Sequence, residues 1–341
     1  MLKYALIGFG GLGKLHLGNL LRLEQERPGE IKLCAICGTT KEAATGAVQT
    51  NLGTLDMSNV DFSECGFYQD YKDMFAAEKP DFVVTALPTA IHEEVAVYAL
   101  EQGVHVFSEK PMALTVEGCD RMIETAKKMG KKLMIGQSLR FSPGYTQLRE
   151  YIRSGVYGKV YRAEFSRYSA MPKWTWNNWI LDPKQSGGCV LDMHIHDVDV
   201  INWLFGKPKA VSSVGTAQKC QLESVFTRYE YGDKVVSSAA DWSLPDKFPF
   251  TFRTMVNFEK ATVELTNGKM TVHTDEESFS PEVSGENSHY IEMKTYLAWL
   301  LEDRCCKDIT SPESVRDSVM LALAETASIE AGKPVQIIYM R

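Results

Sequence analysis

Residues 187–199 read GGCVLDMHIHDVD and bring Asp192, His194, His196, Asp197 and Asp199 close together. Carboxylates and imidazoles at this density can cage a metal, form an acid/base pair, or simply face water on a helix. Helical phase separates these readings. Apolar residues recur at Leu191, Ile195, Val198, Ile201 and Phe205, and Gly206 and Pro208 end the run, which predicts a helix over 190–205. Asp192 and His196 then share a face, which Asp199 and Trp203 continue. His194, two residues from each member of the pair, points about 200° away. An HxH pair chelates from a strand but splits on a helix. A zinc-binding helix needs histidines one turn apart, whereas the residue one turn before His196 is Asp192. With no third ligand cluster in the chain, no metal is expected. An aspartate one turn before a histidine can share a substrate hydroxyl with it or adjust its pKa, and Asp199 is spaced to orient the ring.

A second chemical group lies in the first half of the chain. ALPTAIH delivers Pro88, Thr89 and His92, and VFSEKP delivers Glu109, Lys110 and Pro111. Pro111 restricts Lys110 to an extended backbone. A lysine held at a strand mouth can donate to a substrate oxygen, and its pKa moves readily on desolvation. Taken alone, SEKP reads more simply as a surface lysine before a turn proline.

The elements that must carry these residues fall into two halves. At 341 residues the chain is long for one core, so two domains are expected, 1–135 and 136–341. In the first, apolar runs at 3–8, 31–37, 81–88, 105–111 and 131–137 read as strands. Helical patterns at 13–26, 92–103 and 115–130 lie between them. That alternation predicts a doubly wound parallel sheet. In the second, runs at 158–169, 210–218, 224–232, 234–244, 250–258 and 260–268 alternate apolar and polar residues, as antiparallel strands do. Two helical segments, 290–304 and 311–332, close the chain, the latter between Ser311-Pro312 and Gly332.

The first strand runs into GFGGLG, a GxGxxG pattern formed by Gly8, Gly10 and Gly13. The first glycine permits a tight turn, the second lets a pyrophosphate approach the backbone, and the third lets helix and strand pack closely. The helix start that follows, with Gly11 and Leu12, offers free N–H groups to phosphate. At the end of the second strand, where NAD-binding folds usually place a ribose-binding carboxylate, the chain reads Gly38-Thr39-Thr40-Lys41. Small hydroxyl residues and a lysine suit a 2′-phosphate, so NADP(H) is expected over NAD(H). An ordinary turn glycine, with ribose contacts made elsewhere, keeps NAD open.

Read in order, GFGGLGKLH, ALPTAIH, SEKP, LRFSPG and SGGCVLDMHIHDVD resemble the Gfo/Idh/MocA family of glucose–fructose oxidoreductase, inositol dehydrogenase and their relatives. The resemblance covers nearly the whole chain. It implies an α/β fold with an N-terminal Rossmann domain and a C-terminal α/β domain built on a large, mostly antiparallel open sheet. It also implies that Asp192 and His196 line a substrate pocket beside Lys110, with His196 as general base, Lys110 stabilising the oxyanion and Asp192 holding substrate. Cofactor contacts are expected from Leu87, Pro88, Thr89, His92, Glu109, Lys110 and Arg140 as well as from the glycine turn. Arg167 and the segment KWTWNNW, with Trp174, Trp176 and Trp179, are expected in the pocket wall, where a tryptophan face could stack on a sugar. Core packing explains these aromatics equally well. The departures are Cys189 and His194, where glycines are common.

The implied reaction is reversible oxidation of a secondary alcohol on a sugar, cyclitol or related polyol. Two alternatives stay open: a non-catalytic NADP-binding regulator, and a hydrolase that uses NAD transiently to cleave glycosides. The net charge of −7 argues against nucleic acid or anionic membrane partners, and no apolar run reaches membrane-helix length. The eight cysteines lack paired metal-type spacings and read as reduced packing residues of a cytoplasmic protein. A sheet with one face uncovered by its own domain predicts a homodimer or homotetramer through that sheet.

Overall fold

The computed structural model describes residues 1–50, 53–173, 175–218 and 222–338. They form two compact units. The first comprises Met1–Ala113, Glu117–Gly136 and His289–Glu313, and the second Leu114–Val116, Gln137–Ser288 and the chain from Ser314 on.

The first unit holds strands β1 (Leu2–Ile7), β2 (Ile31–Cys37), β3 (Val48–Thr50), β4 (Gly53–Leu55), β5 (Gly66–Tyr68), β6 (Phe82–Thr85), β7 (His105–Glu109) and β8 (Leu133–Gly136). Six of them make one sheet in the order β5-β2-β1-β6-β7-β8, and every pairing in it is parallel. Phe82–Thr85 and Leu133–Gly136 are buried throughout, which is why they read as unbroken apolar runs. The strand order reverses between β1 and β6, and a crevice at the carboxyl ends of the strands flanking such a reversal is where this kind of sheet binds ligands. Helix Gly11–Glu26 buries Leu17, Leu20 and Leu23, each worth about 1.5–3 kcal/mol of burial.

Three pieces of this unit were not anticipated. Strands β3 and β4 form a separate hairpin, and β5 adds a sheet edge; at three residues each, they are too short to show periodicity. The third piece is His289–Glu313, a segment expected in the second domain. Helix Ser288–Glu302 places the Tyr296 ring 5.9 Å from Phe82 and 5.6 Å from Phe107, so its apolar face completes the core of the first unit.

The second unit carries β9 (Val160–Ala170), β10 (Ala210–Thr216), β11 (Ser224–Glu230), β12 (Val235–Leu244), β13 (Thr251–Phe258), β14 (Thr262–Thr266), β15 (Lys269–His273), β16 (Ser278–Phe279) and β17 (Val335–Gln336). They form a nine-stranded sheet in the order β16-β15-β14-β13-β9-β12-β11-β10-β17. The β9–β12 pair is parallel and the rest are antiparallel. Alternate residues along the strands face a core shared with helices Pro143–Ser154 and Ile195–Phe205. Phe165, Val211, Val236, Val256 and Val263 meet Leu148, Val200, Ile201 and Leu204 there. Odd-phase residues such as Val214 and Phe226 are exposed.

The single helix expected over 190–205 is two elements. Val190–His194 is a π-helical turn, and the α-helix begins at Ile195 and ends at Phe205. Apolar spacing does not distinguish these, because both present a residue to the core about once per turn.

Candidate functional site

At the mouth of β1 the glycines do different work. Gly8 has φ +89°, and a Cβ there would stand 2.2 Å from the Ala86 carbonyl oxygen. A Cβ on Gly13 would stand 2.2 Å from the Gly8 carbonyl oxygen, so these two allow β1, β6 and the helix to close up. Gly10 is the exception: nothing lies within 4 Å of its missing Cβ. No side chain caps the helix at Gly10, so the N–H groups of its first turn, with Gly11, Leu12 and Gly13, retain their anion-binding capacity. An open notch beside an uncapped helix N-terminus fits a pyrophosphate.

The Gly38–Lys41 segment lies next to that notch. Gly38 has φ +90°, and a Cβ there would lie 3.8 Å from Gly8 Cα. Thr39 is partly exposed, while Thr40 and Lys41 are exposed; Thr40 Oγ1 accepts from Ala43 N at 3.3 Å and so starts the short helix Lys41–Ala44. Lys14 was missed by the sequence reading. It is 1% exposed, and its ammonium donates to the carbonyl oxygens of Ala44, at 3.0 Å, and Gly46. It thereby ties the first helix to the loop after β2, and burial lowers its pKa. No short-range signal marks this, since its acceptors are backbone oxygens about thirty residues away.

Leu87 and Pro88 remain partly exposed at the end of β6, whereas Thr89 is buried in the turn that follows. His92 is placed otherwise than expected for a cofactor contact. Its Nδ1 lies 2.8 Å from the Pro111 carbonyl oxygen and its Nε2 2.8 Å from that of Leu87. The buried ring therefore links the turn after β6 to the Lys110–Pro111 turn, and burial lowers its pKa.

Glu109 is likewise turned inward. One carboxylate oxygen lies 2.7 Å from His16 Nε2, and the other accepts from the Lys110 backbone N–H at 3.0 Å. The His289 ring lies 6.2 Å from that of His16. Burial alone would raise the Glu109 pKa, but its hydrogen bond to His16 and the neighbouring charges outweigh it and hold the carboxyl at about 2. Burial pushes His289 down to about 4. Both shifts make acid destabilising. Between pH 6.5 and 4 the unfolded chain binds a proton at His289 that the folded chain refuses. From about 4.5 down to 2 the same holds for Glu109, worth on the order of 3 kcal/mol. Acid titration of unfolding free energy should therefore show stability falling in both windows. In Glu109→Gln the fall below pH 4.5 should flatten, and an unchanged acid limb would remove Glu109 as its source.

Lys110 itself is partly exposed, and its peptide bond to Pro111 is cis. In the second unit, Asp192 and His196 are partly exposed while every other residue from Val190 to Val200 is buried. Their shared face is therefore the open one. Asp199, expected to orient His196, has a carboxylate that accepts from Arg140 Nε at 2.8 Å, Arg140 Nη2 at 2.6 Å and Ser318 Oγ at 2.7 Å.

Arg140, expected as a cofactor contact, is 1% exposed and donates to Asp199 within the second unit. Arg167, expected in the pocket wall, is buried too. Its Nε and Nη2 donate to Asp197 at 2.9 and 3.0 Å, and its guanidinium lies 5.1 Å from the Phe252 ring centroid. Trp176 is 76% exposed, Trp179 is partly exposed, and Trp174 lies outside the described residues. A charged side chain removed from water needs a partner, so arginines at buried positions pair with the nearest aspartates.

Among the described residues no group of three or more histidines, cysteines or carboxylates gathers as a metal site, and no helix is long and apolar enough to cross a membrane. Seven cysteines are free, and Cys220 lies outside the described residues. Burial pushes Cys34 and Cys37 up to about 11, so both remain thiols.

Comparison with known proteins adds two family matches. A model described as "Oxidoreductase family, NAD-binding Rossmann fold" matches residues 2–137, and one described as "GFO/IDH/MocA C-terminal domain" matches residues 145–287. The chain is 30% identical over 230 residues to the D-glucoside 3-dehydrogenase of Escherichia coli K12, covering 64% of this chain and 60% of that protein. It is 29% identical over 233 residues to an inositol 2-dehydrogenase of Salmonella typhimurium, covering 65% and 62%. These matches span about three fifths of each relative's length. The crystal structure of the WlbA dehydrogenase of Bordetella pertussis, in complex with NADH and UDP-GlcNAcA, superposes with a TM-score of 0.82 at 19% identity. That superposition covers 99% of this chain and 98% of the other, a likeness of fold.

Proposed function

The chain belongs to the Gfo/Idh/MocA oxidoreductase family, and on that premise we propose that it transfers a hydride between a nicotinamide cofactor and a secondary alcohol or ketone carbon of a sugar, cyclitol or related polyol. The observation that carries the reading is the open face at Asp192 and His196 in a segment otherwise closed to solvent. A purely structural helix has no need to leave an acid and a base one turn apart on its only open face. His196 removes the hydroxyl proton, Lys110 donates to the oxygen as negative charge develops, and Asp192 holds the substrate hydroxyl. The glycine notch and the first helix turn hold the pyrophosphate, with Leu87 and Pro88 beside them. A nicotinamide bound there supplies hydride chemistry at its C4, and the protein supplies its geometry.

NADP(H) is the preferred cofactor in this reading, because the segment after β2 carries Thr39, Thr40 and Lys41 and no carboxylate. The dehydrogenases of E. coli and Salmonella named above support a sugar or cyclitol substrate. Self-association through the outer face of the nine-stranded sheet, where Val214 and Phe226 are exposed, and a cytoplasmic location, which suits free thiols, belong to the same proposal.

The test is a polyol and aldose panel assayed with NAD and NADP in parallel. Net reduction of NADP by a bare polyol, at a kcat/KM at least about tenfold above that with NAD, is the expected result; one such factor corresponds to about 1.4 kcal/mol of discrimination, within reach of a single charge-assisted contact. Tighter use of NAD would reverse the cofactor assignment. Glycoside cleavage without net cofactor reduction would make the protein a hydrolase, and cofactor binding with no turnover on any substrate a regulator.

A further inference from the structure

Behind the open face of DMHIH lies a buried polar cluster that the proposed chemistry does not use. His194 is fully buried, with Nε2 3.0 Å from Glu325 Oε2 and 3.1 Å from Ser238 Oγ. Tyr229 donates to Glu325 Oε1 at 2.5 Å, and its hydroxyl lies 2.8 Å from Ser238 Oγ. Glu325 lies on helix Pro312–Ala331, Tyr229 on β11 and Ser238 on β12. The imidazole thus reaches the helix and β12 directly, and β11 through Tyr229.

The turn that carries His194 is the π-helical one, Val190–His194. Such i→i+5 turns are rare and short, and they persist where their surroundings hold them. We propose that the His194–Glu325 pair is the positioning element that keeps this wide turn in place and thereby sets Asp192 against His196. The role rests on the proposed use of those two residues in proton handling. Rewinding the turn as an α-helix would change the rotation per residue and so turn Asp192 about the axis relative to His196, altering their spacing while leaving both on the same face. Two further pairs lie along the chain: Arg167 holds Asp197 and Arg140 holds Asp199, both in the α-helix that follows. Of these three pairs, His194–Glu325 is the one that starts from a residue of the wide turn itself. Removing either partner takes away the other's close polar neighbour in the core, with Glu325 Oε1 keeping its bond from Tyr229 and His194 Nε2 its contact with Ser238.

The test combines amide hydrogen exchange with steady-state kinetics on the full chain, using His194→Gln, Glu325→Gln, the combined double variant and the milder Ser238→Ala. In each single glutamine variant, protection of the 191–196 amides should fall at least about tenfold. Turnover should fall about 30-fold, on the scale expected when a catalytic group is misplaced by less than an ångström, with the cofactor KM within about twofold of wild type. The double variant, in which amide meets amide and no charge is stranded, should recover kcat to within about fivefold of wild type. Ser238→Ala should give a smaller loss of both protection and kcat, and it stands in if a single variant fails to fold. Unchanged protection over 191–196 in the folded variants overturns the proposal. So does a loosened turn that retains wild-type kcat. A wild-type protein inactive on every polyol would instead overturn the proposed function, and the exchange data would still decide whether the pair holds the turn.

Discussion

Lys110→Met should lower kcat/KM for the responsive polyol by about 10³-fold or more while leaving cofactor affinity within about threefold of wild type. Methionine keeps the length of the side chain and removes only the ammonium, so the loss reports charge donation to the developing alkoxide. The backbone around Lys110 should not move, because its N–H donates to Glu109 and the buried His92 ring packs against the neighbouring Pro111 carbonyl. His196→Ala should fall by a similar factor, about 10²–10⁴, the range typical of a lost general base. The proposed reaction has the two groups act on the same proton-transfer step, so the double variant should be little worse than either single one. Wild-type turnover in either single variant, measured as steady-state formation of the reduced nicotinamide cofactor, would remove that residue from the site. Full additivity of the two losses would mean that they act in separate steps.

Arg140→Met should act on stability rather than on cofactor binding. It strands the Asp199 carboxylate, buried, with Ser318 as its remaining neighbour in that bond set. Breaking a buried ion pair from one side costs about 3–5 kcal/mol. For a unit of this size that lowers the thermal midpoint by about 10 °C. The companion variant Arg140→Met/Asp199→Leu, which removes both charges, should recover most of the loss, as apolar replacement of buried pairs often does. A cofactor dissociation constant unchanged in Arg140→Met would agree with the pairing seen here. A normal melting temperature together with weakened cofactor binding would restore Arg140 to the cofactor set.

Much of this protein was legible in the residues themselves. GxGxxG between an apolar run and a helix, followed by strand and helix in alternation, announces the first sheet, because a parallel strand buried on both faces reads as a largely apolar run. Alternation along Ser224–Glu230 and Val235–Leu244 announces the second sheet for the complementary reason: one face meets the core and the other does not. The phase that puts Asp192 and His196 on one side of the chain is also a local property, and both residues are indeed the open ones. Less visible was the fate of Arg140, Arg167 and Asp199. Each has the type expected at a ligand site, and each is buried against a partner 30 to 119 residues away. His16 and Lys14 show the converse. They lie within the quoted glycine motif but drew no assignment, because the groups they hold, Glu109 and the loop carbonyls at Ala44 and Gly46, are distant in sequence.

By itself, then, the sequence determined what is set by short-range periodicity and backbone stereochemistry: two sheets of different type, a glycine turn shaped for pyrophosphate, and an acid and a base on one helical face. Tertiary structure alone decided which charged side chains remain available for chemistry. A buried charge must find a counter-charge wherever the fold brings one, and spacing along the chain carries no record of that choice. His194 shows this most clearly. In the sequence it departs from the resembling motif without a role, and in the fold it lies 3.0 Å from Glu325 at the back of the turn that carries Asp192, one residue before the helix that carries His196.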